Sequence, residues 1–166
     1  MKIYDDHMFH GAALIQVAEH KRFTAINSLK TGRKVHRNAY KINNDIGLYL
    51  KYASGKTKAH KEYIFTFTLE HLKDIKKIHQ VTPRLFIAMV CVEDREICCL
   101  SYDELCRLVE TRKNKKGSQE NQYSILMTIL SGNSIHVYVN APGVKNTKIG
   151  KDMIIKRKEY PNKIFS

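Results

Sequence analysis

The sequence predicts an α+β fold: a single domain with a mixed, mostly antiparallel sheet and about three helices, in the order α-β-β-β-α-β-β-α-β-β. Three observations carry that expectation. The run RLFIAMVCV, Arg84 to Val92, is apolar on both strand parities, so it has no side to turn to water and is expected to be a central strand covered on both faces. Two turn signals, Asn43-Asn44-Asp45 and Ser131-Gly132-Asn133, each separate runs of β-forming residues, which favours antiparallel hairpins. Three segments, opening near Phe9, Leu69 and Tyr102, repeat apolar residues at helical spacing. A chain of 166 residues with 43% hydrophobic composition can bury one real core, so one domain over 1–166 is the expected organisation.

Taken in order, Asp5 and Asp6 stand where acids complement a helix N-terminus, and Phe9, Ala13, Leu14, Val17 and Ala18 form the apolar stripe that follows. His10 falls in the same angular sector and reads as a histidine at the edge of the core. Phe23, Ile26 and Leu29 continue that helix or form a second turn. TGRKVHRNAY, Thr31 to Tyr40, reads as a basic loop. YKINNDIGLYLKYAS then reads as a hairpin whose second arm sets Ile46, Leu48, Leu50 and Tyr52 on one face and Asp45, Tyr49 and Lys51 on the other. After the polar connection Ser54 to Lys61, EYIFTFT is a third strand with Tyr63, Phe65 and Phe67 on one face. Thr68 is placed to cap a second helix with the stripe Leu69, Leu72, Ile75 and Ile78, which Thr82 and Pro83 end.

The central strand, flanked by the Glu62 to Thr68 strand or by ICCL, follows immediately. A two-residue turn at Asp94 and Arg95 would set Cys91 opposite Cys98. Ser101 to Glu104 is an S-x-x-E capping box, opening a third helix from Tyr102 to about Arg112. RKNKKGSQEN, Arg112 to Asn121, reads as a surface loop, and YSILMTIL with SIHVYVN as the second hairpin. The segment from about 144 is basic and expected to be mobile, with a short edge strand at Met153 to Ile155 and Pro161 marking the end of regular structure.

Charge narrows the function classes. Twenty-nine Lys and Arg against 16 Asp and Glu give a formal net charge of +13, which favours polyanionic partners, nucleic acid first among them. No signal-peptide order and no run of bilayer length is present, so a cytoplasmic protein with no membrane partner is expected. Cys91, Cys98, Cys99 and Cys106 sit in apolar positions without a CxxC pair, which reads as buried thiols in a reducing compartment rather than a zinc site. There is no Gly-rich phosphate loop, GxSxG elbow or HExxH helix. No cofactor or metal is expected from these motifs.

The expected function is therefore nucleic-acid binding. Arg33, Lys34, Arg37 and Lys41 are the candidate phosphate contacts, helped by Lys51, with Tyr40 and Tyr49 as stacking or sugar-contacting rings and Lys156, Arg157 and Lys158 as a source of non-specific affinity. The same side chains also compose an ordinary solvated surface.

One catalytic alternative rests on element order. The first six elements, α-β-β-β-α-β, resemble the core of the PD-(D/E)XK nucleases, in which an acid and an acid-x-lysine set on adjacent strands hold Mg²⁺ against a scissile phosphate. That resemblance implies Asp45, Glu62 and Lys51 as the catalytic set of an active or degenerate metal-dependent nuclease. No E-x-K triplet follows Glu62 in register, and Glu19, the further acid on the first helix, points away from its stripe, so whether the protein is an enzyme stays open. HGAAL at His10 to Leu14, INNDIGLYLKYAS at Ile42 to Ser54, FTFT at Phe65 to Thr68 and FIAMVC at Phe86 to Cys91 are similar to the pattern of small uncharacterised bacterial proteins. That similarity implies a bacterial, intracellular, single-domain protein and supplies no catalytic residues. A protein-interaction module or homodimer is the remaining alternative.

Overall fold

Apolar residues on both faces of one sheet set the architecture. The computed structural model describes all 166 residues, in the order α1 (Asp5–Ala18), β1 (Ile26–Thr31), β2 (Lys34–Ile42), β3 (Ile46–Ala53), β4 (Tyr63–Thr68), α2 (Leu69–Val81), β5 (Arg84–Cys91), β6 (Glu96–Ser101), α3 (Tyr102–Lys116), β7 (Gln122–Ile129), β8 (Ile135–Tyr138), β9 (Met153–Ile155) and α4 (Asn162–Phe165). The fold is α+β, with mostly antiparallel strands.

The strands form two sheets rather than one. A five-stranded sheet has the order β1-β2-β3-β5-β6, and a four-stranded sheet the order β4-β7-β8-β9. The single parallel pair is β3 with β5, from Ile46 opposite Arg84 to Ala53 opposite Cys91. It arises because β4 leaves for the second sheet and α2 brings the chain back beside β3 in the same direction, as a parallel crossover requires. β5 is thus an interior strand, as its apolar run demands, but β3 occupies the middle of its sheet. β5's neighbours are β3 and β6, not β4.

Two cores follow from strand parity. Tyr49, Leu85, Ile87, Met89, Cys91, Cys98 and Leu100 face the second sheet, where Tyr63, Phe65, Phe67, Ile125, Met127, Ile135 and Val137 meet them, with Ile75 and Ile78 of α2 and Leu105 and Leu108 of α3 filling in. On the other face Ile42, Ile46, Leu48, Leu50, Ala88, Val90 and Cys99 pack under Ala13 and Val17 of α1. Each of the buried Val, Leu, Ile, Met and Phe side chains contributes about 1.5–3 kcal/mol by leaving water.

Several local signals act as their chemistry requires. Ser101 Oγ accepts from the Glu104 amide at 3.1 Å, while the Ser101 amide donates to Glu104 Oε1 at 2.8 Å. Thr68 Oγ1 caps α2 through the His71 amide at 3.1 Å. Asn43 takes a positive φ of 54° in the β2–β3 turn. Its Oδ1 accepts from the Thr24 and Ala25 amides, tying the chain after α1 to this hairpin.

Other expectations are corrected. α1 stops at Ala18, and Ile26, instead of continuing a helix, opens β1. The supposed basic loop is a hairpin: Gly32, at φ +60°, and Arg33 turn β1 into β2. Four strands, not three, therefore lie between α1 and α2, and the element order behind the nuclease resemblance does not hold. The charges hid this pair because β1 is an edge strand in which only Leu29 is buried, so no two-residue alternation shows.

Cys91 lies opposite Glu96, and Met89 opposite Cys98, because the β5–β6 connection spans Val92 to Arg95 instead of two residues. α3 runs on to Lys116 and ends at Gly117, whose φ of 82° suits a left-handed C-cap; Lys113, Lys115 and Lys116 in its last turn complement the helix dipole. The end of the chain is anchored. Tyr160, Ile164 and Phe165 are buried in the second core, the Tyr160 hydroxyl donates to Ala13 O at 2.7 Å, and Lys163 Nζ reaches Glu104 at 2.7 Å and Cys99 O at 2.9 Å. Regular structure resumes after Pro161 with α4.

Candidate functional site

α1 docks over β3 and β5 through Ala13 and Val17, and the β1–β2 hairpin extends past it. The space between them is a concavity of about 830 Å³, lined by Tyr4, Asp6, His7, His10, Gly11 and Leu14 on the α1 side and by Ser28, Val35, His36, Arg37 and Tyr40 on the hairpin side. A bulge shapes its floor. Ser28 pairs with Tyr40 and Leu29 with His36, so Arg37, Asn38 and Ala39 have no counterpart on β1. Such an excess bends a strand and re-aims its side chains. Arg37 is thereby brought to the same cavity as Tyr40.

Three imidazoles differ in role. His7 Nδ1 accepts from the Tyr4 amide at 3.0 Å and closes the N-terminus of α1. His10 is half-buried with its ring edge-on to Tyr52 at 5.6 Å, and burial holds its pKa below the usual histidine value. His36 is buried, with Nε2 2.8 Å from Thr31 Oγ1, and burial lowers its pKa as well. With His10 and His36 biased toward the neutral form, the permanent cation lining the cavity is Arg37, and Asp6 is its one carboxylate.

The residues expected to bind nucleic acid are dispersed by the fold. Arg33 is exposed at the tip of the hairpin, and neither it nor Arg37 reaches a carboxylate. Lys34 is bound to Asp74 of α2 at 2.8 Å. Lys41 lies opposite Gly47, on the sheet face away from Tyr40. Tyr49 is a correction: its ring is in the inter-sheet core and only 2% exposed, so it cannot stack on a ligand. Burial raises the Tyr49 pKa, while a hydrogen bond with the Asn38 side chain opposes that rise.

Lys156 and Lys158 are exposed, and Arg157 Nη2 is 2.8 Å from Glu96 Oε1 of β6. β6 and the β1–β2 hairpin are opposite edges of one sheet, three to four strand spacings or roughly 14–19 Å apart. The tail cluster and the hairpin are separate basic surfaces.

The nuclease set does not converge. Asp45, in the β2–β3 turn, pairs with Arg84 Nη1 at 2.7 Å. Lys51 is six residues further along, roughly 20 Å at strand rise, with Nζ donating to Thr66 O at 2.7 Å and 4.7 Å from the centroid of Phe67; burial lowers its pKa. Glu62 precedes β4 in the other sheet and accepts a hydrogen bond from the Tyr138 hydroxyl. β3 and β4 are not hydrogen-bonded neighbours, and no three His, Cys, Asp or Glu side chains gather as metal ligands. The donor set that a Mg²⁺ ion would need is not assembled by these three residues.

Tyr4, His7 and His10 were absent from the sequence-based binding set. Their signal was present as the three-residue spacing that puts i, i+3 and i+6 near one helix face. What the sequence lacked was the hairpin opposite. Compared with family models, with curated proteins and with solved structures, the chain matches none. No helix is long and apolar enough to cross a membrane.

Proposed function

We propose that this is a nucleic-acid-binding protein whose main contact surface is the cavity between α1 and the β1–β2 hairpin. One observation carries the reading: a concavity of about 830 Å³ in a chain with net charge +13 is lined by an arginine without a carboxylate partner and by two tyrosine rings, Tyr40 and Tyr4. Arg37, extended by Arg33 at the hairpin tip, supplies phosphate contacts, and the rings supply stacking faces for unpaired bases. Single strands are favoured over duplex, because bases must leave a helix to stack on such rings. Four unpaired thiols support an intracellular, cytoplasmic setting.

Titration of labelled single-stranded RNA and DNA across a salt series tests the binding. Affinity that falls steeply with salt, and is weakened by Arg33→Gln with Arg37→Gln, is the expected result; salt-independent affinity, or none for any strand type, overturns it.

A second reading, self-association, is favoured by the outward side of α1, where Met8 and Ile15 are each 59% exposed on one stripe. Sedimentation of the protein alone tests it, a monomer at all concentrations being the contrary outcome. The nuclease alternative is tested by Mg²⁺-dependent cleavage with Asp45→Ala and Glu62→Ala controls.

A further inference from the structure

Glu62 is the one carboxylate among the buried residues, 8% exposed, in a chain with 29 Lys and Arg, yet none of those cations stands within ion-pair distance of it. Less buried acids such as Asp94, Glu104 and Glu120 all have a Lys or Arg partner. An ionised carboxylate withdrawn from water without a cation is costly unless something else meets it. The protein meets only part of that need. Tyr138 donates to Oε2, while Oε1 has no protein donor and is not sealed from solvent.

The place is a built pocket. Tyr63 points into the core, so the preceding Glu62 faces outward at the start of β4, and Tyr138 of β8 stands on the same outer face. Asn140 bridges to Lys148, folding the intervening loop into a wall. The result is a cavity of about 240 Å³ in which Glu62 and Tyr138 are joined by His60, Thr128, Asn140, Asn146 and Lys148, and His60 makes no hydrogen bond or ion pair with Glu62. Lys148 does not neutralise Glu62: its Nζ lies 4.2 Å from the Tyr138 ring centroid and binds Asp152 at 3.0 Å. The Tyr138 hydroxyl stays protonated as a donor, its pKa raised by burial and by the bond to Glu62.

A carboxylate with a free oxygen in a small pocket selects a ligand with adjacent N–H donors. A guanidinium and the N1–H/N2–H₂ edge of guanine both offer two. The field of the protein separates them. A net charge of +13 opposes a free cation, whereas a neutral base carried on phosphate is attracted, and Lys148 lines the cavity. The Asn140 and Asn146 carboxamides add donors suited to a purine O6 and N7. We propose that the Glu62 pocket binds a guanine base, a specificity site that rests on the nucleic-acid reading but lies on the second sheet, away from the α1 cavity.

The test is titration of the full chain with GMP, IMP, AMP and free arginine, monitored by calorimetry. GMP is expected to bind about tenfold or more tighter than AMP, and IMP, which lacks the N2 amino group, more weakly than GMP. Glu62→Gln, which keeps the Tyr138 bond but turns an NH₂ toward the ligand, should bring GMP down to the AMP level without lowering the melting temperature. Equal affinity for the three nucleotides, or preference for arginine, overturns the proposal, and this comparison on the unsubstituted protein decides even if the variant does not fold. Salt-dependent binding of an oligouridylate with no GMP preference removes the guanine site and leaves the α1 cavity standing; loss of both removes the nucleic-acid reading itself.

Discussion

Neutralising Arg33 and Arg37 separates electrostatic binding from folding more cleanly than any other change at this surface. Neither guanidinium has a carboxylate partner, so Arg33→Gln/Arg37→Gln removes two charges without stranding a buried acid. Lys34 is a poorer choice, because its loss leaves Asp74 of α2 without its cation. Each phosphate contact on a single strand contributes about 0.7 to the slope of log affinity against log salt, so two lost contacts reduce the slope by about 1.4. At 0.1 M salt that corresponds to ~0.7 log units per contact, or ~25-fold in affinity for the pair. Fluorescence polarisation of a labelled single strand from 50 to 300 mM salt reads both quantities, with a thermal melt on the same samples. A variant with unchanged melting temperature and an unchanged salt slope would refute phosphate binding at the hairpin, whatever the affinity of the unsubstituted protein.

Three further outcomes bear on the framework. A Cβ at Gly47 would stand 3.0 Å from Leu85 Cδ1 and 3.2 Å from Thr82 Cγ2, both in buried residues, so Gly47→Ala is expected to cost about 1–2 kcal/mol net, overpacking outweighing the reduced freedom of the unfolded chain. A melting temperature that does not fall by several degrees would contradict that packing. Burial lowers the pKa of His10, His36 and His71, so the unfolded chain takes up protons first as pH falls. Their contribution is complete above about pH 6.5 and declines below it. Glu104 adds a second decline below about pH 4: burial raises its pKa, but Lys163 and Ser101 outweigh burial and hold it below the usual value. Urea midpoints measured from pH 8 down to about pH 2.5 check both, and a flat profile between about pH 7 and 5.5 would exclude the histidine contribution.

Burial raises all four thiols, Cys99 to about 12, so alkylation of the native protein should modify Cys106 first because it alone is not buried. Early labelling of those three, read by peptide mass mapping, would mean that the inter-sheet core opens.

Signals confined to a few residues were legible in the chain. The Ser101–Glu104 box and the Thr68 cap act over three residues, the Asn43 turn over four, and the pairing of β7 with β8 over one short connection. The interior position of Arg84–Cys91 followed from its lack of a polar face. β1 was not legible, because an edge strand with one buried residue carries no period. Neither was the anchoring of the basic tail, whose Tyr160, Ile164 and Phe165 are too sparse to announce a core on their own. Within the candidate site, Arg37 and Tyr40 came from composition, while Tyr49 was misplaced because parity told which face it shares and not that a second sheet covers that face.

The sequence by itself determined an α+β domain with two strong hairpins, capped helices, an unusually basic surface and an interior strand at Arg84–Cys91, because each of these depends on neighbours in the chain or on totals. Only the tertiary structure decided that β4 belongs to a second sheet, that the bulged hairpin stands across from Tyr4, His7 and His10, and that Glu62 meets Tyr138 from 76 residues away. Those pairings satisfy buried groups that have no local partner, and which distant segment supplies one is settled by packing the whole chain rather than by the period of any part of it.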